Sequence, residues 1–259
     1  MHLLTSCQHR VLHLVLNRQD KRNALDADMC SGIVNAIVDA QQSPEVGCVL
    51  ISAHGSVFCS GMDLDEAVGP NAAQLVGVHE ALFTIGMTSL KPIVVCVGGA
   101  ALGGGLGLVA QGHVVLAAEG AAFALTEIRV GLWPFLVYRA VEAALGPRRT
   151  LQLSLTGHVF HSQDALEWGL VHDVCPPGET LERAKGLSRE IAKASPLAIS
   201  TGMRYVRDAR GRPHEEVGEL AAGLRDKLMQ SDDFKEGVAA FKHRREPRWP
   251  SMPQEPALK

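Results

Sequence analysis

The pattern of apolar and polar positions divides the chain into two unlike parts. In the first half, short apolar runs recur at Val11–Leu16 (VLHLVL), Gly47–Ala53 (GCVLISA), Ile93–Val97 (IVVCV), His113–Ala118 (HVVLAA) and Ala121–Leu125 (AAFAL). They are too short and too uniformly apolar for surface helices, so they predict strands covered on both faces. Between them the spacing turns helical. Met29, Ile33, Ala36, Ile37 and Ala40 follow Asp26, a suitable N-cap. An alanine-rich segment from about Ala72 must end before Lys91-Pro92, because the residue preceding proline disfavours the helical region. Strand, helix, strand with short connections predicts an α/β body with a parallel sheet. Val57 to Leu64 is expected to be a loop.

From about Tyr138 helices dominate. They are expected over Val137–Leu145, Arg148–Leu155, Ser162–Trp168 and Thr180–Ala194, then from Ser195-Pro196, and over Pro213–Met229 and Ser231–His243, with one strand-like run at Gly169–Val174. Serine at the cap and proline at the first helical position mark Ser195-Pro196 as a helix start. The tail Pro247–Lys259, with four prolines, is expected to be extended.

Composition narrows the class. The 259 residues are 46% hydrophobic and 20% charged, an ordinary globular balance with enough chain for a sizeable core. A net charge of −3 argues against general nucleic-acid binding. No apolar run reaches the roughly 18 residues of a membrane helix, and strand-like sequence begins by Val11 with no apolar leader, so a cytoplasmic protein is expected. Cys7, Cys30, Cys48, Cys59, Cys96 and Cys175 form no CxxC pair and are expected to be reduced, with no metal site.

Candidate chemistry centres on Val94–Ala110, VVCVGGAALGGGLGLVA. Glycines at 103, 104, 105 and 107 inside apolar sequence sacrifice packing, which suggests that a ligand approaches the backbone. The stretch reads as strand, tight turn and first helical turn, whose free N–H groups favour negative charge. Gly105 to Ala110 matches a dinucleotide fingerprint, but Glu119 lies only 14 residues past Gly105, nearer than that fingerprint requires. A second glycine-bearing loop, Cys59-Ser60-Gly61-Met62, also follows a buried strand. If the two strands are parallel neighbours, both loops reach one sheet end, where paired N–H groups form an oxyanion hole; two ordinary turns are the alternative. Glu127 interrupts an apolar stretch, so its carboxyl is either desolvated toward a general base's pKa or simply at a surface strand end.

Five motifs in order resemble the crotonase family, the enoyl-CoA hydratase/isomerase superfamily. They are Asn17–Leu25, Phe58–Leu64, Lys91-Pro92 with Gly98–Gly107, Phe123–Gly131, and the terminal Phe234–Phe241 with Pro247 and Trp249. The resemblance spans nearly the whole chain and displaces the dinucleotide reading. It implies an α/β ββα spiral core over 1–195 and a helical trimerisation region over 196–259. It also implies a coenzyme A thioester substrate, no separate cofactor, and a homotrimer or hexamer.

By the same resemblance the backbone N–H groups of Met62 and Gly104 are the oxyanion-hole donors and Glu127 is the catalytic acid/base. Arg22, Ala24, Ser60, Asp63 and Leu64 line the CoA path. Gly107, Thr126 and Phe135 belong to the acyl site, and Phe241 to the CoA site across subunits. Hydratases of the family carry a second glutamate at the position of Gly107, so the resemblance favours an isomerase that moves a double bond from C3 to C2 with one base. Hydration, decarboxylation, thioester hydrolysis and non-catalytic acyl-CoA binding are the alternatives. Pro134-Phe135-Leu136-Val137 replaces a glycine-rich segment and narrows the acyl pocket.

Overall fold

The structure is a computed structural model and describes residues 1–70 and 72–253. The chain begins with a hairpin of β1 (Leu3–Gln8) and β2 (Val11–Leu16), followed by α1 (Ala27–Gln42) and β3 (Cys48–Ala53). Next come β4 (Val57–Cys59), α2 (Leu64–Ala67), α3 (Ala72–Leu82), α4 (Ile85–Thr88), β5 (Ile93–Val97), β6 (Ala100–Leu102) and α5 (Gly104–Val109). Strands β7 (Val114–Ala118) and β8 (Ala122–Ala124) precede α6 (Phe135–Leu145), α7 (Pro147–Thr156), β9 (Phe160–His161), α8 (Ser162–Glu167), β10 (Asp173–Cys175) and α9 (Thr180–Ala192). The chain ends in α10 (Pro196–Ala209), α11 (His214–Met229) and α12 (Asp232–His243). The extended tail was expected over Pro247–Lys259; it is irregular from Pro247 to Pro253, and 254–259 lie outside the described residues.

The expected strands, apart from Ala121–Leu125, enter a six-stranded sheet of order β1-β2-β3-β5-β7-β10, parallel except for β1 against β2. Its central strands β3, β5 and β7 are apolar apart from Ser52, because both faces are covered. Val49, Ile51, Ile93, Val95 and Val97 point into the main core with Met29, Ile33 and Ile37 of α1. Cys48, Leu50, Val94 and Cys96 point the other way and pack with Ala184 and Ala192 of α9. Five of the six cysteines are buried and all six are free thiols.

Four strands were not expected: β1, β4, β6 and β9. β1 was not foreseen, because its LLTSCQ sequence is an edge strand exposed over its last residues and carries no apolar run. The loop expected over Val57–Leu64 contains β4 and enters α2. The glycine stretch holds an additional strand, β6, between β5 and α5. β4 and β6 belong to a second sheet of order β4-β6-β8-β9, in which β4, β6 and β8 run parallel. β8 is the strand expected at Ala121–Leu125, whereas β4, β6 and β9, of two or three residues, leave too little periodicity to read.

Asp26 caps α1 as expected: its Oδ1 accepts from Met29 N at 2.8 Å. Its Oδ2 also lies 3.3 Å from Arg18 Nε, and Arg18 Nη1 reaches Asp63 Oδ2 at 2.5 Å. Asp26→Ala is expected to cost about 2 kcal/mol, the upper part of the capping range. Asp26→Asn keeps the cap acceptor but replaces Oδ2, which faces Arg18 Nε and His2 Nδ1, with an amide donor, for about 1 kcal/mol. Urea denaturation of both variants checks the order; equal losses would mean that the ion pair, not the cap, dominates.

Candidate active site

Because β4, β6 and β8 are parallel neighbours, the loops that follow them emerge at one sheet end. Those loops carry Met62, Gly104 and Glu127. The first is pinned on both sides: Ser60 N donates to Arg22 O at 3.1 Å, Leu25 N to Gly61 O at 2.7 Å and Asp63 N to Leu25 O at 3.0 Å. Gly61 N takes Cys59 Sγ at 3.5 Å. The second loop is tied to the third by Gly103 N, which donates to Ala124 O at 2.8 Å.

Two backbone donors are left over. Among the described residues, neither Met62 N–H nor Gly104 N–H, the first of α5, has a protein acceptor. They are neighbours: a methyl group on Gly104 would lie 3.6 Å from Met62 N, and one on Gly61 would lie 3.3 Å from Gly104 N. Both turns need glycine. Gly61 has φ +101° and Gly103 φ +52°, which side-chain-bearing residues rarely adopt. The sequence requirement at these positions is therefore steric, and its result is a pair of adjacent free amides.

Glu127 opens the short 3-10 turn Glu127–Val130 after β8. Burial pushes its carboxyl above the ordinary glutamate range, opposed by a hydrogen bond from its own backbone N–H. Oε2 is shielded and has no hydrogen-bond partner in the described structure. Oε1 faces the glycine turn, 3.1 Å from where a methyl group on Gly103 would sit. Of the two readings open from sequence, the desolvated carboxyl is the one observed.

The amides and the carboxyl border one cavity of about 490 Å³. Leu25, Phe83, Leu102, Leu132, Trp133 and Val137 make its walls mainly apolar. Trp133 stacks on Tyr138 with ring centroids 6.3 Å apart, which fixes that wall. An apolar chamber with a buried carboxyl beside two free amides can hold an oxygen as it gains negative charge and exchange a proton next to it.

Among the residues singled out from sequence, Met62, Gly104, Glu127, Ser60, Leu64, Thr126 and Phe135 all line this cavity. Arg22 and Ala24 do not; Arg22 O supports the loop by accepting from Ser60 N, and Ala24 O accepts from Arg18 Nη1. Asp63 is turned away to Arg18 and caps α2, accepting from Asp65 N at 2.9 Å. Burial raises the Asp63 carboxyl, but the hydrogen bonds from Arg18, Glu66 and Asp65 outweigh it and hold it below the usual range.

Phe241 lies on α12, 85% exposed, beside Val238 and Trp249 rather than at the cavity. Gly107 is also not a lining residue. A methyl group there would meet Val137 Cγ1 at 2.9 Å and the Phe83 ring at 3.0 Å, so those side chains occupy the direction a larger residue would take. Gly107→Ala is expected to destabilise by about 1–3 kcal/mol through overpacking. Gly107→Glu is expected to destabilise further without adding hydratase activity. Thermal unfolding and product analysis check both.

Sequence reasoning missed His79 and Phe83. Leu75, His79 and Leu82 fall on one helical stripe, all buried, so a histidine at a core position was the available signal. It was hidden by the weak periodicity of an alanine-rich helix.

Adjacent free amides, a buried acid and an apolar chamber define a class of site that stabilises an oxyanion while moving a proton. Comparison with known proteins shows the family. The enoyl-CoA hydratase/isomerase family model matches residues 6–252, and the chain belongs to that family. It is 33% identical to the 2,3-dehydroadipyl-CoA hydratase of Escherichia coli, over 95% of this chain and 97% of that one. It is 29% identical to the trans-2-decenoyl-[acyl-carrier-protein] isomerase of Streptococcus mutans, over 95% and 97%. The enoyl-CoA hydratase of Mycobacterium smegmatis superposes with a TM-score of 0.90 at 26% identity, over 96% of this chain and 99% of that one. These relatives also support the crotonase fold expected from the motifs.

Proposed function

We propose that this enzyme converts a 3-enoyl-CoA into a 2-enoyl-CoA, with Glu127 as the single proton shuttle. The thioester oxygen sits between Met62 N–H and Gly104 N–H. Glu127 removes a proton from C2, the electron pair shifts toward the oxygen, and the negative charge strengthens both hydrogen bonds. Glu127 then returns the proton at C4 as the double bond forms between C2 and C3. Proton removal and return balance within the substrate, so the reaction needs no cofactor. The CoA portion would leave the cavity past Ser60 and Leu64. Assembly into trimers would give the exposed Phe241 a place beside a neighbouring subunit's CoA.

One observation carries the reading: among the described residues, Glu127 is the only carboxylate lining the cavity. Phe83 and Val137 crowd Gly107, the position where the resemblance puts a hydratase's second acid. Hydration is the second reading, favoured by the E. coli relative's name. Incubation with 2-enoyl-CoA and 3-enoyl-CoA, followed by product mass and double-bond position, separates the two. Isomerisation leaves the mass unchanged, whereas hydration adds one water. A product heavier by one water as the main outcome would overturn the isomerase reading.

A further inference from the structure

The cavity holds a second polar group that the proton shuttle does not use. His79, in the last turn of α3, is only 6% exposed and borders the same chamber as Glu127. Its Nε2 is shielded and has no hydrogen-bond partner among the described residues. Its ring packs on Phe83 with centroids 6.0 Å apart, and the neighbouring walls are Leu25, Leu132 and Val137. His79 and Glu127 are not bonded to each other, since Nε2 and Oε2 are both unpartnered.

A buried unpaired nitrogen is costly, and leucine or phenylalanine would fill this position without that cost. Burial also pushes the imidazole below its ordinary range, which keeps it neutral. A half-turn of the ring exchanges Nε2 with Cε1 at almost unchanged shape, so the side chain can present a nitrogen to the chamber without repacking. A neutral imidazole offers a donor or an acceptor according to its tautomer, which suits a hydroxyl or carbonyl oxygen. A carboxylate would be buried there without a counter-charge from this residue. Arg129, the cationic side chain at the cavity, donates from Nη2 to Gly157 O at 2.6 Å.

We propose that His79 is a specificity-determining residue that hydrogen-bonds a neutral oxygen substituent on the acyl chain, so the preferred substrates are hydroxy- or oxo-acyl thioesters rather than plain alkyl ones. This rests on the reading that the cavity receives the acyl part of a CoA thioester. A site built around a hydrogen bond discriminates against the analogue that lacks it, because the protein group is then left unpaired.

The test uses saturated ligands, so that binding is read without turnover. Hexanoyl-CoA is compared with 4-, 5- and 6-hydroxyhexanoyl-CoA by calorimetry on wild type, His79→Leu and His79→Gln, with thermal unfolding to verify that each variant is folded. Wild type is expected to bind one hydroxylated isomer about tenfold more tightly than hexanoyl-CoA, the worth of one net hydrogen bond. His79→Leu is expected to erase that difference, and His79→Gln to retain part of it.

Equal binding of all four ligands by wild type would overturn the proposal, as would a hydroxyl preference that survives in His79→Leu. If the leucine variant fails to fold, the wild-type comparison and the glutamine variant still decide. The expected hydroxyl preference together with no double-bond shift when 3-enoyl-CoA is incubated with the enzyme would remove the isomerase reading and leave the proposal standing. No binding of any acyl-CoA would remove both.

Discussion

Glu127→Gln is expected to lower kcat for 3-enoyl-CoA isomerisation by about a thousandfold while saturated acyl-CoA still binds. Glutamine preserves the shape of the side chain but cannot take up and release a proton, and positioned acid/base groups typically contribute 10²- to 10⁴-fold. Steady-state kinetics with calorimetry on a saturated thioester measures the two effects separately. Wild-type turnover in the variant would remove Glu127 from the mechanism.

The same substitution has a stability consequence of opposite sense. Burial raises the folded carboxyl above the ordinary value of 4.5, so the fold prefers the neutral form. Below 4.5 the carboxyl is protonated in both folded and unfolded chains, and wild type carries no ionisation penalty. As pH rises, the unfolded chain ionises first and the folded state loses relative stability until pH passes the raised folded value. Glu127→Gln is therefore expected to melt at a higher temperature than wild type near neutral pH, with the gain fading as pH falls below the ordinary carboxylate range. A melting difference that does not change with pH would show that the carboxyl is not desolvated.

Gly104→Pro is expected to reduce kcat by about 100- to 1,000-fold, the usual cost of one oxyanion donor. Gly104 is the first residue of α5, where proline is tolerated because that N–H has no partner within the helix. The variant thus removes the donor without removing a helical hydrogen bond. Gly104→Ala is the control. It keeps the N–H and adds a methyl group 3.3 Å from Leu25 Cδ1 and from Phe83 Cζ, a contact that side-chain movement relieves. Proline and alanine variants of equal activity would mean that this amide does not hold the developing charge.

The exposed apolar face of α12 fits the assembly implied by the family resemblance. Phe234, Val238 and Phe241 are all partly or largely exposed and recur at helical spacing. Within one chain Phe241 is not among the residues that line the cavity.

Much of the fold was legible because it depends on local pattern. GCVLISA and IVVCV are apolar without alternation, which only a strand covered on both faces tolerates. Asp26 and Ser195 start their helices as their side chains predict, each accepting from an N–H in the first turn. The glycines announced a backbone site because the turns at Gly61 and Gly103 take conformations that exclude side chains. What sequence alone determined was the family, the two glycine-bearing loops and an acid in apolar surroundings.

Tertiary structure decided how these parts meet. The parallel order of β4, β6 and β8 brings three loops to one end, and strands so short carry no periodic signal of that order. The ion pair with Arg18 turns Asp63 away from the cavity, while Phe83 and Val137 close the space beside Gly107. His79 becomes informative only when its neighbours prove to be apolar and its nitrogen proves to be unpaired. Local sequence sets which conformations a segment can adopt; desolvation and the pairing of polar atoms depend on residues far away in the chain, and those appear only when the chain is folded.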